Sequence, residues 1–167
     1  MKVISSILKK IYQKHRNQMM EKYRRHVSFG DLFTDRWERA RYLGFGKGTS
    51  CYDNVLVIGN VNVGKNTWIG PNVILDGSGG LKIGDYCSIS AGVQIYTHDT
   101  VNWSINLGNS PIVKMETIIG DGVYIGPNVV IQKGVEIGDR AIIGAMSFVN
   151  KSVPQEAKVF GIPAKII

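Results

Sequence analysis

The sequence predicts a mostly β protein, a parallel solenoid of short strands, preceded by a helical segment. Three observations predict it. A six-residue period runs from Val55 to the region of Val149, glycine and asparagine recur at fixed places within that period, and the first 41 residues carry helical periodicity and the whole excess of charge.

The period shows in the third residue of each hexad. These are Val57, Val63, Ile69 and Leu75, then, after two extra residues (Gly79 and Gly80), Ile83, Ile89 and Ile95. After a twelve-residue excursion the series resumes with Val113, Ile119, Ile125, Ile131, Ile137, Ile143 and Val149. All are aliphatic. First positions are mostly small or β-branched (Val55, Val61, Thr67, Val73, Cys87, Val93), so positions one and three share the inward face of a short strand. Fourth positions favour Gly and sixth positions Asn or Gly, types that tolerate the backbone of a corner. Strands this short cannot bury an apolar face alone. Stacking successive coils about 4.8 Å apart pairs the backbone and joins the aliphatic residues into one core. The chain divides into a helical segment at 1–42, a repeat body at 43–152 with its excursion at 99–110, and a tail at 153–167.

Residues 1–26 read as a basic amphipathic helix, with Val3, Ile4, Ile7, Leu8, Ile11 and Tyr12 at helical spacing and Lys9, Lys10, Lys14 and Arg16 largely elsewhere. Two readings follow: attachment to an anionic membrane surface, or packing on the body or a neighbouring subunit, which is favoured. Residues 1–41 hold 11 Lys/Arg against 4 Asp/Glu, whereas residues 42–167 hold 9 of each. A neutral body without aromatics interleaved among basic residues argues against nucleic acid as a partner. Across 167 residues no apolar run reaches the length of a membrane span. Lys9 and Lys10 interrupt the first apolar run before a signal-peptide core forms, so a cytoplasmic protein is expected, peripheral to the inner membrane face if the helix attaches there. Cys51 and Cys87 are too few for a disulfide framework and read as reduced core residues.

Among three histidines, His15 and His26 lie in the basic segment and only His98 lies in the repeats, at a corner where the register breaks. An imidazole that titrates near neutrality beside a loop suits a general base. Asp99 or the more distant Asp76 could orient it, and Trp103 offers a flat apolar face.

The repeat, with His98 closing Ile95-Tyr96-Thr97-His98, the loop after it, and the ending Gly161-Ile162-Pro163-Ala164-Lys165, resembles the hexapeptide-repeat acyltransferases, above all the sugar O-acetyltransferases. The resemblance covers roughly residues 55–167. It implies a left-handed parallel β-helix of between four and five coils, a homotrimer with sites between subunits, and acetyl-CoA as acyl donor without a metal. It implies direct transfer to a sugar hydroxyl with His98 as base, in surface polysaccharide or lipopolysaccharide assembly. Asp76, Asp99 and Trp103 are then expected to face the acceptor, and Ala145, Asn150, Lys151 and Lys165 the cofactor. Two places depart from the family pattern. Tyr124 stands where Trp is frequent, and Pro127, lacking an N–H, stands where relatives can donate to the thioester oxygen.

Three other readings compete. Transfer to the amine of a nucleotide sugar would use the same base and donor. A zinc site needs several histidines, and the repeats hold one. A silent scaffold gives His98 and the Gly161–Lys165 ending no reason to occur together.

Overall fold

The computed structural model describes residues 2–167, with side chains from Ile4 onward, so the expected apolar contribution of Val3 lies outside the described residues. Three helices come first: α1 (Lys2–Tyr23), α2 (Phe29–Phe33) and α3 (Arg36–Tyr42). Asp35 begins α3 by accepting hydrogen bonds from the amides of Trp37 (2.9 Å) and Glu38 (2.8 Å), the donors that a helix start leaves unpaired. Arg39 then ties α3 to the first coil, donating to the carbonyls of Tyr52 and Val55.

The predicted solenoid follows. Its strands, most of them two residues long, stack in parallel into three faces. On the first face Cys51, Ile69, Ile89, Ile125, Ile143 and Val159 lie in register; on the second, Val57, Leu75, Ile95, Ile131 and Val149; on the third, Val63, Ile83, Ile119, Ile137 and Val153. Those from Ile69 to Val149 on the closed faces are almost wholly buried, each contributing about 1.5–3 kcal/mol of apolar burial. A ladder of carboxylates seals the corner between the third and first faces: Asp85, Asp121 and Asp139 accept from the amides of Lys65 (2.6 Å), Asp85 (2.7 Å) and Asp121 (2.9 Å).

The structure moves three boundaries. Coiling starts before Val55, since buried Phe45 and Cys51 already occupy inward third positions; an aromatic and a thiol hid the period there. It also passes the expected end at residue 152. Ile143 pairs with Val159 and Ile137 with Val153, sixteen residues on rather than eighteen, so a two-residue deletion conceals the last coil from a strict six-residue count. The solenoid therefore makes about six turns rather than four to five. Finally, Val113 is no rung: strand Val113–Lys114 pairs antiparallel with His98–Asp99, outside the coil.

Helix α1 is shorter than the expected 1–26 and packs in part against α2. Tyr12 stacks on Phe29 at 5.7 Å between ring centroids and His15 meets Phe33 at 4.9 Å, while Ile4, Ile7, Leu8 and Ile11 remain exposed.

Candidate active site

The corner between the second and third faces is irregular in successive coils. At the other corners the sixth-position residue turns the chain with positive φ, as at Asn66, Asn72, Gly92 and Asn128. At the irregular corner, strand Leu56–Val63 shifts register against Ile74–Ile83 between Gly59 and Val61, which is where the two extra residues fall. One coil later the chain leaves at His98–Asp99, forms the short helix α4 (Val101–Ile105), and returns at Val113–Lys114. Both departures from the period therefore stack on one another.

This stacking brings Asp76 to His98. Leu75 pairs with Ile95, so Asp76 sits one coil before Tyr96, and its Oδ2 lies 2.6 Å from His98 Nδ1. The same oxygen accepts from the Thr97 amide (2.9 Å) and hydroxyl (3.3 Å), while Oδ1 accepts from the Ser78 amide (3.0 Å) and hydroxyl (2.5 Å). Gly79 completes the corner by donating to Thr97 Oγ1 at 2.7 Å, and a Cβ there would collide with the Thr97 carbonyl oxygen. Burial opposes ionisation of Asp76, but the bonds from Ser78, Thr97 and His98 outweigh it and hold the carboxyl below the usual carboxylate range. A carboxylate only accepts, so Nδ1 carries the proton of the Asp76–His98 bond and Nε2 presents a lone pair. The imidazole is 33% exposed and the carboxylate 1%. Asp76, expected to face an acceptor or to orient the imidazole, is buried and bonded to His98, Thr97 and Ser78.

Asp99 makes no hydrogen bond to the imidazole among the described residues. It pairs with Lys133 Nζ and accepts from the Val101 amide at 3.1 Å, and the Lys133 hydrogen bond, aided by Val101, lowers its pKa. Lys133 stands at the same corner one coil further on, since Tyr96 bonds to Ile131 and Gln132 to Val149. It clamps the root of the excursion. Spacing alone hides it, because counting Val113 as a rung puts Ile131 on a different face from Ile95.

Trp103 lies on α4 and is half exposed. Asn150 and Lys151 occupy the irregular corner one coil beyond Lys133, in line with His98. Ala145 sits at the opposite edge of the second face, and Lys165 lies on the closing strand Ala164–Ile166, antiparallel to Lys158–Gly161. Within one chain, then, the expected cofactor residues form two groups on either side of a face. Neither Lys151 nor Lys165 belongs to an ion pair among the described residues. Burial pushes both the Cys51 and Cys87 thiols up, which suits core residues and not nucleophiles. A cleft of about 220 Å³ lined by Met19, Tyr23, Arg36, Trp37 and Tyr52 lies where the helices meet the first coil.

Comparison with known proteins agrees with this architecture. Residues 116–151 match the bacterial transferase hexapeptide (six repeats) and residues 60–97 the hexapeptide repeat of succinyl-transferase. The chain is 32% identical to the galactoside O-acetyltransferase of Escherichia coli (strain K12), over 65% of this chain and 53% of that protein. It is 31% identical to a serine acetyltransferase of Mycobacterium tuberculosis, over 66% and 47%. WbbJ of E. coli, named for O-acetyl transfer in lipopolysaccharide biosynthesis, is 29% identical over 84% of this chain and 70% of its own length. The chain spans about half the length of the first two of these curated relatives. Among solved structures, a hexapeptide-repeat acetyltransferase of Vibrio cholerae complexed with acetyl coenzyme A superimposes with TM-score 0.69 at 27% identity, covering 95% of this chain and 86% of that one. The fold is shared too with AntD, an N-acyltransferase from Bacillus cereus in complex with dTDP and 3-hydroxybutyryl-CoA (TM-score 0.64, 21% identity, 80% and 89% covered). With its repeats, its faces and these matches in agreement, the chain belongs to the hexapeptide-repeat acyltransferase family.

Proposed function

We propose that the protein is an acyl-CoA-dependent acyltransferase that moves an acetyl group from acetyl-CoA to a sugar hydroxyl, with His98 as general base. The observation that carries this reading is the Asp76–His98 pair at the root of the excursion. Asp76 fixes the Nδ1–H tautomer, so Nε2 is free to take a proton. When bound, acetyl-CoA supplies a thioester carbonyl as electrophile. The acceptor oxygen bonds to that carbon as its proton passes to Nε2, the carbon–sulfur bond breaks, and the proton passes from Nε2 to the leaving thiolate. Asp76 stays ionised throughout and stabilises the transient imidazolium. Lys151 and Lys165 would meet the donor's phosphates, with Asn150 and Ala145 beside its chain. Trp103 and Asp99, on the excursion, would face the acceptor.

A homotrimer belongs to the same proposal. Ala145 and Lys165 lie across a face from His98, and a neighbouring copy can bring the two groups to one site. Likeness to WbbJ and to the galactoside O-acetyltransferase supports a sugar hydroxyl and a role in surface polysaccharide or lipopolysaccharide assembly. A second reading, N-acyl transfer to an amino sugar on a nucleotide, draws support from the shared fold with AntD. The test is release of free thiol from acetyl-CoA with a panel of sugars, nucleotide sugars and amino sugars. Release with hydroxyl acceptors supports the first reading, release with amino sugars alone the second, and no release with any acceptor overturns both.

A further inference from the structure

Helix α1 carries a surface that the rest of the chain leaves open. Ile4, Ile7, Leu8 and Ile11 are 64%, 52%, 56% and 40% exposed. At helical spacing they fall within an arc of about 100°, a continuous stripe along the first three turns. Aromatic rings prolong it onto α2: Tyr12 stacks on Phe29, which meets Phe33 at 4.9 Å, and Phe29 and Phe33 are 62% and 47% exposed. No acidic residue occurs from residue 2 to residue 20, whereas Lys2, Lys9, Lys10, Lys14 and Arg16 do. Lys10 and Lys14 border the stripe beside Ile7, and Lys9 and Arg16 lie opposite it.

We propose that this stripe docks on an anionic lipid bilayer, with α1 lying in the plane of the interface. An apolar stripe, an aromatic extension and a polar face whose charges are all basic are the requirements for a helix that rests on a charged membrane surface. Lysine stems can lie along the acyl boundary while their ammonium groups reach the headgroups. No helix of the described residues is long and apolar enough to cross a membrane, so the contact is with the surface. A second copy of the chain fits less well. Two such helices face to face would set basic residues against basic residues, and the body, with 9 Lys/Arg and 9 Asp/Glu, offers no excess of negative charge. The docking uses no group of the proposed active site.

Sedimentation of the full-length protein with vesicles tests this. It should pellet with phosphatidylcholine vesicles that contain phosphatidylglycerol and stay in the supernatant with phosphatidylcholine alone. The double variant Ile7→Glu/Ile11→Glu should lose the pelleting, and the triple variant Lys9→Ser/Lys10→Ser/Lys14→Ser should reduce partitioning about a hundredfold. The second variant keeps the apolar stripe, so the pair remains informative if the glutamates loosen the helix. Failure of the wild type to pellet with anionic vesicles overturns the proposal, as does equal pelleting of the variants. So does a smaller particle on gel filtration of Ile7→Glu/Ile11→Glu without lipid, which would make the stripe a contact between copies.

Discussion

Asp76 and His98, twenty-two residues apart in sequence, meet at 2.6 Å because two irregularities of the repeat fall at the same corner in consecutive coils. The two extra residues widen strand Ile74–Ile83 just where the next coil opens into the excursion. The wider corner lets Asp76 turn back under the imidazole, and the Ser78 and Thr97 donors compensate its burial.

Replacing Asp76 with Asn keeps the shape and removes the charge. The amide can donate to Nδ1 and favour the tautomer whose Nε2 carries the proton, which cannot act as a base. Acyl-transfer turnover should fall by about a hundredfold or more while acetyl-CoA binding is kept, measured by steady-state kinetics beside calorimetry. Turnover within twofold of wild type would count against the positioning role.

The lowered pKa of Asp76 also makes a stability prediction. A carboxyl whose folded pKa lies below its ordinary value of 3.8 contributes stability that is fully present above that value and is lost as pH falls towards the folded one. The stability gap between wild type and Asp76→Asn should therefore be constant from about pH 8 to about pH 5 and narrow below about pH 4. Denaturant titrations at several pH values measure it. A gap that closes already near neutrality would contradict the assignment.

Lys133 is expected to act through the excursion. Lys133→Met removes the partner of Asp99 and should raise the acceptor KM about tenfold, with smaller change in the donor KM, and Lys133→Arg should restore most of the loss. Hydrogen exchange should quicken over residues 99–114 in the Met variant alone. Unchanged exchange and kinetics would show that the clamp is idle.

Packing makes the fourth prediction. Ile95, fully buried beside Leu75 and Ile131, should cost about 2–5 kcal/mol when cut to Ala, because the coils above and below cannot close the void. Leu107, 90% exposed on the excursion, should cost less than about 0.5 kcal/mol in the same change. Equal losses in thermal melts would mean that the excursion is as tightly held as the core.

The aliphatic ladder made the solenoid legible, because every third-position side chain between the corners must point inward. It failed where another residue type filled that place, at Phe45 and Cys51, and where two residues are missing before Val153. It also admitted Val113, which has the right phase by accident of the excursion's length. His98 stood out as the one imidazole of the repeats. Its partner did not, since choosing between Asp76 and Asp99 requires knowing that the glycine insertion and the excursion share a corner. Lys133 was hidden for the same reason: contacts between coils follow the eighteen-residue turn and not the neighbouring sequence.

One measurement tests the central claim most directly: acetyl-CoA binding by calorimetry and thiol release with an active acceptor, both on wild type and on His98→Ala. If His98 is the base that Asp76 orients, the variant binds acetyl-CoA as wild type does and loses about 10²- to 10⁴-fold in turnover. Turnover near the wild-type rate in His98→Ala would contradict the account and leave the Asp76–His98 pair as a structural contact.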